Sequence, residues 1–457
     1  MTGDLSFARG AAVHFVGIGG AGMSAIAKVL LERGVKVSGS DLKASRPMTL
    51  LEAMGARVHV GHDAAQIEGA DVVVVSSAIP ERNPELAAAR AAGVRVVSRG
   101  EALAAVLSGS ESIVVAGTHG KTTTTSMIVS VLRAEGRDPT YLVGGGLNDA
   151  GTNAKSGRDG VAVAESDESD GSFLLLRPHV AVVTNVEADH VDYWASDAEL
   201  HDAFRRFLGA TTGAAVVPAA QPEIAAWARD AGVRCVTFGE GGDVDADAVR
   251  LEPGGASFEL SAGGERHPVA LRVPGLHNVA NALAAAAACV EAGVTVAAAA
   301  HGLGEYRGVE RRWQLRGTAR GVTVIDDYAH HPTEVRATLG AARPGPWGRV
   351  VAVFQPHRYS RTRAFASEFG DAFAAADRVV VTDVYGAGEE PVPGVTGKLV
   401  ADAVCRAFPG RAVAYLPHRA ELIAYLAATV RPGDAVLTLG AGDVTTVGEE
   451  LLEKIGG

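Results

Sequence analysis

Short, uniformly apolar runs rich in β-branched residues alternate along this chain with Ala/Leu-rich stretches of helical character, at residues 12–16, 35–38, 72–76 and 94–97 to begin with. A strand with one face in water alternates apolar with polar side chains, so runs that are apolar throughout belong in a parallel sheet covered by helices on both faces. The predicted fold class is therefore α/β, doubly wound. The rhythm restarts at 113–116, continues through 161–165 and 180–184, and restarts again at 322–326, 350–354 and 379–382. Three α/β units result, which suits 457 residues at roughly 150 per domain. The polar stretch 108–112 and the Arg-rich, aperiodic stretch 308–317 mark the joins, giving units 1–108, 109–314 and 315–457. Residues 239–274, rich in Gly, Asp and Pro with short alternating runs, predict an antiparallel insertion in the second unit.

Hydrophobic residues at 47% and charged residues at 21% are globular proportions and exclude disordered or fibrous chains. A formal charge of -11 repels nucleic acid and anionic lipid, so neither is expected as a partner. Cys235, Cys289 and Cys405 lie far apart without C-x-x-C spacing, which suits the reducing cytoplasm and offers no disulfide framework. Residues 11–31 are largely apolar, but Gly17, Gly19, Gly20 and Gly22, with His14 and Lys28, interrupt any membrane span. A strand, tight turn and helix would use all of them. No sequence signature favours a monomer over a homodimer.

Gly17-Ile18-Gly19-Gly20-Ala21-Gly22 fits G-x-G-x-x-G behind a strand, with Asp41 ending the next one. The glycines let backbone approach a pyrophosphate at a helix N-terminus, and Asp41 can accept from ribose hydroxyls. A dinucleotide and any other nucleoside diphosphate satisfy that equally. Gly117-Thr118-His119-Gly120-Lys121-Thr122-Thr123 follows the strand at 113–116 and opens a helical pattern to about residue 135. Backbone N–H groups, an ammonium and a hydroxyl converge there on one anion, with Lys121 toward the β/γ-phosphates and Thr122 toward a magnesium ion. Val115 stands where the usual phosphate-loop motif has its first glycine.

Glu165-Ser166-Asp167-Glu168-Ser169-Asp170 ends an apolar run. Carboxylates at the C-terminal end of a parallel strand face the ligand crevice, where a hard divalent cation neutralises them, and Glu165 is the foremost ligand candidate. His190 closes the next strand's polar cluster, either completing the metal site or serving as a hydrogen-bonding loop residue. In the last third, residues 326–332 (DDYAHHP) and 355–363 (QPHRYSRTR) each follow a strand. Guanidinium forks pair with carboxylate or phosphate, so these loops look built to hold an anionic substrate, and the histidine pair alone makes a weak zinc site.

Taken in order, GIGGAGMS (17–24), GTHGKTTTT (117–125), ESDESD (165–170), TNVEADHVD (184–192), PGLHNVANA (274–282), DDYAHHPTE (326–334) and QPHRYSRTR (355–363) resemble the motifs of the Mur ligases. The resemblance spans nearly the whole chain. It implies a three-domain architecture: a Rossmann-like first domain for a UDP sugar, a P-loop-type central ATPase domain and a Rossmann-like third domain that binds the amino acid and closes over ATP. Gly17, Gly19, Gly20, Gly22, Asp41 and Ser76 would then hold the UDP sugar. Gly117 to Thr123, with His277, Asn278, Asn281 and Arg312, would hold ATP. Thr122, Glu165 and His190 would ligate magnesium or manganese, and Asp326, Tyr328, His330, Arg358 and Arg361 would orient the amino acid and the reacting carboxylate. Lys121, His190, His330 and Arg358 are the catalytic candidates. Ser166 departs from an expected alanine, and residues 191–209 hold no lysine to match the carbamylated one of sister ligases.

The implied reaction joins L-alanine to the lactyl carboxylate of UDP-N-acetylmuramate at the expense of ATP, through an acyl phosphate. His330 would take the amine proton. Three rival readings are a nicotinamide-dependent dehydrogenase, a non-catalytic nucleotide sensor and the sister ligase that attaches a ready-made tripeptide to the same sugar.

Overall fold

In a computed structural model, which describes residues 5–76, 78–189 and 193–457, the strands gather into three separate sheets. The first comprises β1 (Ala12–Val16), β2 (Lys36–Asp41), β3 (Arg57–Val60), β4 (Val72–Val75) and β5 (Arg95–Ser98) in the order β3-β2-β1-β4-β5, all parallel. The order reverses at β1, so a crevice opens beyond the carboxyl ends of β1 and β4, where the glycine turn sits.

The second sheet has ten strands: β6 (Glu111–Ala116), β7 (Thr140–Leu142), β8 (Ala154–Lys155), β9 (Val161–Glu165), β10 (Val180–Val183), β11 (Ala214–Pro218), β12 (Arg234–Phe238), β13 (Val244–Glu252), β14 (Gly255–Ala262) and β15 (Glu265–Leu271). β6 lies between β9 and β10, parallel to both, and β13, β14 and β15 form an antiparallel meander. The expected antiparallel insertion is thus present, but it extends the central sheet through the Phe238–Val244 pair instead of standing apart. The third sheet runs β16-β17-β21-β18-β19-β20, from β16 (Gln314–Ala319), β17 (Val322–Asp327), β18 (Arg349–Phe354), β19 (Arg378–Val381), β20 (Ala412–Tyr415) and β21 (Asp434–Leu439). Among the described residues only β16 is antiparallel there. Every apolar run read as a strand is one, to within three residues at either end, because most of their side chains are buried.

The cores join unequally. One continuous apolar cluster runs from Phe15, Ile26 and Leu103 of the first unit to Phe173, Phe204 and Phe207 of the second. A side chain at Gly100 would meet Ser172 at 2.8 Å, so these two units sit backbone-close. The third unit has its own core, around Phe354, Phe369 and Phe373, and a smaller cluster on the other face of its sheet. It meets the second through polar contacts, the Asp189–Arg361 pair and the Thr333–Glu187 hydrogen bond among them. Apolar interfaces fix domains, whereas polar ones permit relative motion.

Candidate active site

The helix Lys121–Ala134 starts from Gly120, whose φ of 81° is left-handed and therefore suited to glycine. Gly117 is equally constrained: at φ 123° a side chain there would strike Thr184 Oγ1 at 2.3 Å. The loop after β10 clamps the phosphate loop from the other side. Asn185 Oδ1 accepts from the His119 amide (3.0 Å) and its amide donates to the His119 carbonyl (3.0 Å), while the Glu187 amide donates to Thr118 Oγ1 (2.9 Å). Two neighbouring strand ends, β6 and β10, thereby hold one anion-binding turn.

Lys121 Nζ donates to the Gly117 carbonyl (2.6 Å) and to Glu168 Oε2 (2.8 Å). Burial alone would lower the lysine, but Glu168 and Asp167 outweigh it and raise its pKa, so the ammonium is fixed. Burial pushes Glu168 up to about 7 against the pull of Lys121. Thr122 Oγ1 donates to Glu165 Oε1 (3.0 Å), and Glu165 Oε2 accepts from the Gly144 amide (2.8 Å). A hydroxyl and a carboxylate in contact form an all-oxygen donor pair, which fits a hard cation such as magnesium. His190, the third expected ligand, lies outside the described residues.

A cleft of about 470 Å³ gathers Lys121, Thr122, Glu165, Arg312, Tyr328, His330, Arg358 and Arg361 between the second and third units. Beside it a more apolar pocket is lined by Gly120, Thr123, His277, Asn278, Asn281 and Phe238, and it shares His119 and Arg312 with the cleft. Burial, with help from Arg312, lowers the His277 ring to about 4, leaving it neutral. Asn281 faces the phosphate loop, accepting from Thr124 Oγ1 (3.3 Å) and, through its amide, donating to Asn278 Oδ1 (3.3 Å).

The His330 ring lies against Tyr328, its Nδ1 2.9 Å from the Tyr328 carbonyl. That contact places the ring proton on Nδ1 and leaves Nε2 with its lone pair. Burial lowers the ring to about 4, so it is neutral at neutral pH. Arg358 holds φ 68°, strained for a residue with a side chain, and its guanidinium lies 3.8 Å from Glu389. Arg361 forks onto Asp189, Nε to Oδ1 at 3.0 Å and Nη2 to Oδ2 at 3.1 Å, with both side chains buried.

Asp326 is not brought to the cleft. It is fully buried on the far side of β17, where it accepts from Thr438 Oγ1 (2.6 Å) and Thr445 Oγ1 (2.7 Å). Strand alternation sends its neighbour Asp327 to the nucleotide-side pocket instead. Sequence reasoning also passed over Glu187, Asp189, Glu310 and Glu334, which line the two pockets. Asp189, Glu187 and Glu334 lay within quoted motifs, but only their partners across the join between the second and third units give them a place. In the first unit, Gly19 N donates to Asp41 Oδ2 (3.0 Å), and a side chain at Gly17 would meet Ser76 Cβ at 3.6 Å. Gly17 to Gly22, Asp41 and Ser76 thus gather at one end of the first sheet, and Ala21 reaches the main cleft.

Three family models match in succession: Mur ligase family, catalytic domain, at residues 12–111, Mur ligase middle domain at 115–289, and Mur ligase, glutamate ligase domain, at 311–442. The chain belongs to the Mur ligase family. A UDP-N-acetylmuramate–L-alanine ligase of Rubrobacter xylanophilus is 51% identical over 97% of this chain and 100% of its own. The crystal structure of UDP-N-acetylmuramate-alanine ligase from Thermotoga maritima superposes with a TM-score of 0.82 at 31% identity, covering 97% of this chain and 98% of that one. A murein peptide ligase from Psychrobacter arcticus follows at a TM-score of 0.71 and 26% identity, covering 98% and 99%. Mur ligases use ATP, and among the described residues no helix of this one is long and apolar enough to cross a membrane.

Proposed function

We infer that this Mur ligase joins L-alanine to UDP-N-acetylmuramate with conversion of ATP to ADP, a step of cytoplasmic peptidoglycan precursor synthesis. The observation that carries the reading is 51% identity over 97% of the chain to a ligase of that name. The domains run 1–108 for the UDP sugar, 109–314 for ATP and 315–457 for the amino acid, with β16 beginning at the last join.

ATP lies with its adenosine against His277, Asn278 and Asn281 and its phosphates over Gly117 to Thr123. Thr122 and Glu165 would hold magnesium, or manganese in its place, and the ion would supply charge neutralisation at the γ-phosphoryl group. Lys121 exchanges its Glu168 partner for phosphate oxygens, since three phosphates outbid one carboxylate. The lactyl carboxylate oxygen bonds to the γ-phosphorus as the bond to the β-phosphate oxygen breaks, giving an acyl phosphate and ADP. Arg312, Arg358 and Arg361 steady the two anions that must meet, and positioning supplies most of the rate. The amine of L-alanine, with its carboxylate near Arg358, then bonds to the acyl carbon. His330 Nε2 takes the amine proton, and inorganic phosphate leaves as the amide forms.

The third domain's polar interface supports closure over ATP as a separate step. Phosphate release from ATP, measured with the UDP sugar and magnesium, with and without L-alanine, tests the assignment. Release that requires both sugar and L-alanine is expected. Release only with a tripeptide in place of L-alanine would make this the recycling ligase instead.

A further inference from the structure

Beyond the oxygen-lined pair Thr122 and Glu165, a second cluster has a different donor set. Ring nitrogens of His119 and His331 and a carboxylate oxygen of Glu187 lie within 4.8 Å of one another. The two rings stand 4.6 Å apart between centroids. Nε2 of His119 and Nε2 of His331 are both buried without a hydrogen-bond partner, and His331 is only 5% exposed. Unpartnered buried nitrogens are costly and call for something to face them. Glu187 Oε2 stands 3.5 Å from His119 Nε2, and Glu334 Oε1 stands 3.5 Å from its Nδ1, so the ring lies in a negative field.

We propose that His119, Glu187 and His331 bind a transition-metal ion of the Zn²⁺ class at a site distinct from the magnesium position. Two imidazoles and one carboxylate with an open fourth position are ligands such an ion prefers and magnesium does not. Bonds of about 2.0–2.1 Å put tetrahedral ligand atoms about 3.4 Å apart, so the cluster contracts by roughly 1 Å to close on the ion. The His331 ring proton moves to Nδ1, which gives up the long 3.3 Å bond from the Thr333 amide. Glu187 and Glu334, each 3.5 Å from a His119 ring nitrogen, also favour a divalent cation there.

The ion would join two domains, because His119 and Glu187 belong to the central one and His331 precedes the helix Pro332–Ala342 of the third. His119 and Glu187 also line the pocket beside the phosphate loop. Metal and nucleotide therefore compete, and the ion inhibits by clamping the domains shut without ATP.

Co²⁺ serves as the probe. The full chain, free of nucleotide and with excess magnesium to fill the oxygen site, is titrated with Co²⁺ and read by visible absorption. Nitrogen-ligated Co²⁺ of low coordination number absorbs strongly, whereas Co²⁺ among six oxygens is nearly colourless. One Co²⁺ per chain with a strong band, displaced by Zn²⁺, is expected. His331→Asn, which keeps an N-cap acceptor for the helix, and Glu187→Gln should each weaken binding by about tenfold or more. Thermal melting of each variant shows that it is folded, and if the asparagine variant is not, Glu187→Gln decides. No strong band in the parent protein, or a band unchanged in the folded variants, overturns the site.

Discussion

Replacing Asp189 by Asn tests whether the third domain is latched by charge. In the structure Asp189 and Arg361 are 6% and 5% exposed, and two hydrogen bonds of 3.0 and 3.1 Å join them across the domain interface. Hydrogen bonds to charged groups are worth about 1.5–3 kcal/mol each, and breaking a buried pair costs about 3–5 kcal/mol because the surviving charge loses its counter-ion. Asparagine keeps one acceptor, so the expected cost is about 2–4 kcal/mol. With the domains apart both groups are hydrated, and the whole cost falls on the closed form. At 1.36 kcal/mol per factor of ten, the closed-to-open ratio drops by about 30- to 900-fold. Small-angle scattering should therefore give a larger radius of gyration for Asp189→Asn than for the parent protein in the presence of ATP and magnesium, and kcat/KM should fall in step. Equal radii with reduced activity would refute the latch and assign Asp189 to the chemistry. Equal radii with equal activity would refute any role.

Lys121→Met should lower phosphate release by about 10²–10³-fold while leaving the domains folded, since one charged donor is withdrawn from the transferring group; parent-like turnover would remove Lys121 from the mechanism. His330→Ala should cost about 10²–10⁴-fold in turnover with loss of the acid limb of the pH profile, and an unchanged profile would exclude the ring as base. Gly120→Ala puts a side chain 2.4 Å from Asn281 Oδ1 at a left-handed φ of 81°. The strain of about 1–2 kcal/mol should appear as a lower melting temperature and weaker ATP binding by calorimetry. Burial alone would depress His119, yet Glu187 and Glu334 raise it to about 9 from 6.5. A raised pKa stabilises the folded chain fully below pH 6.5, and that stability drains away as pH rises to 9. The melting temperature of metal-free, nucleotide-free protein should fall across that window, and His119→Asn should flatten the slope.

Much of this molecule was legible before any coordinates. Strands buried on both faces announce themselves as apolar runs, and Gly117 and Gly120 mark a turn that other residues cannot make, so α/β class, three sheets and the phosphate loop are local properties of the chain. The edge strands β3, β8 and β20 were not legible, because short, half-exposed segments carry little pattern, and β11 and β21 went unread although both are buried throughout. Nor was the direction of Asp326 and Asp327, since adjacent strand residues point oppositely and nothing local says which face meets the ligand.

What the sequence determined by itself is which residues could do chemistry and in what order they come, because residue type and short-range spacing set donor, charge and turn. Tertiary structure alone decided their partners. Asp189 became the counter-ion of Arg361 across 172 positions, Thr333 the donor to Glu187 across 146, and His119 the neighbour of His331. Those pairings span a joint between separately cored domains, and charge complementarity at such a joint depends on docking geometry, which no local propensity encodes.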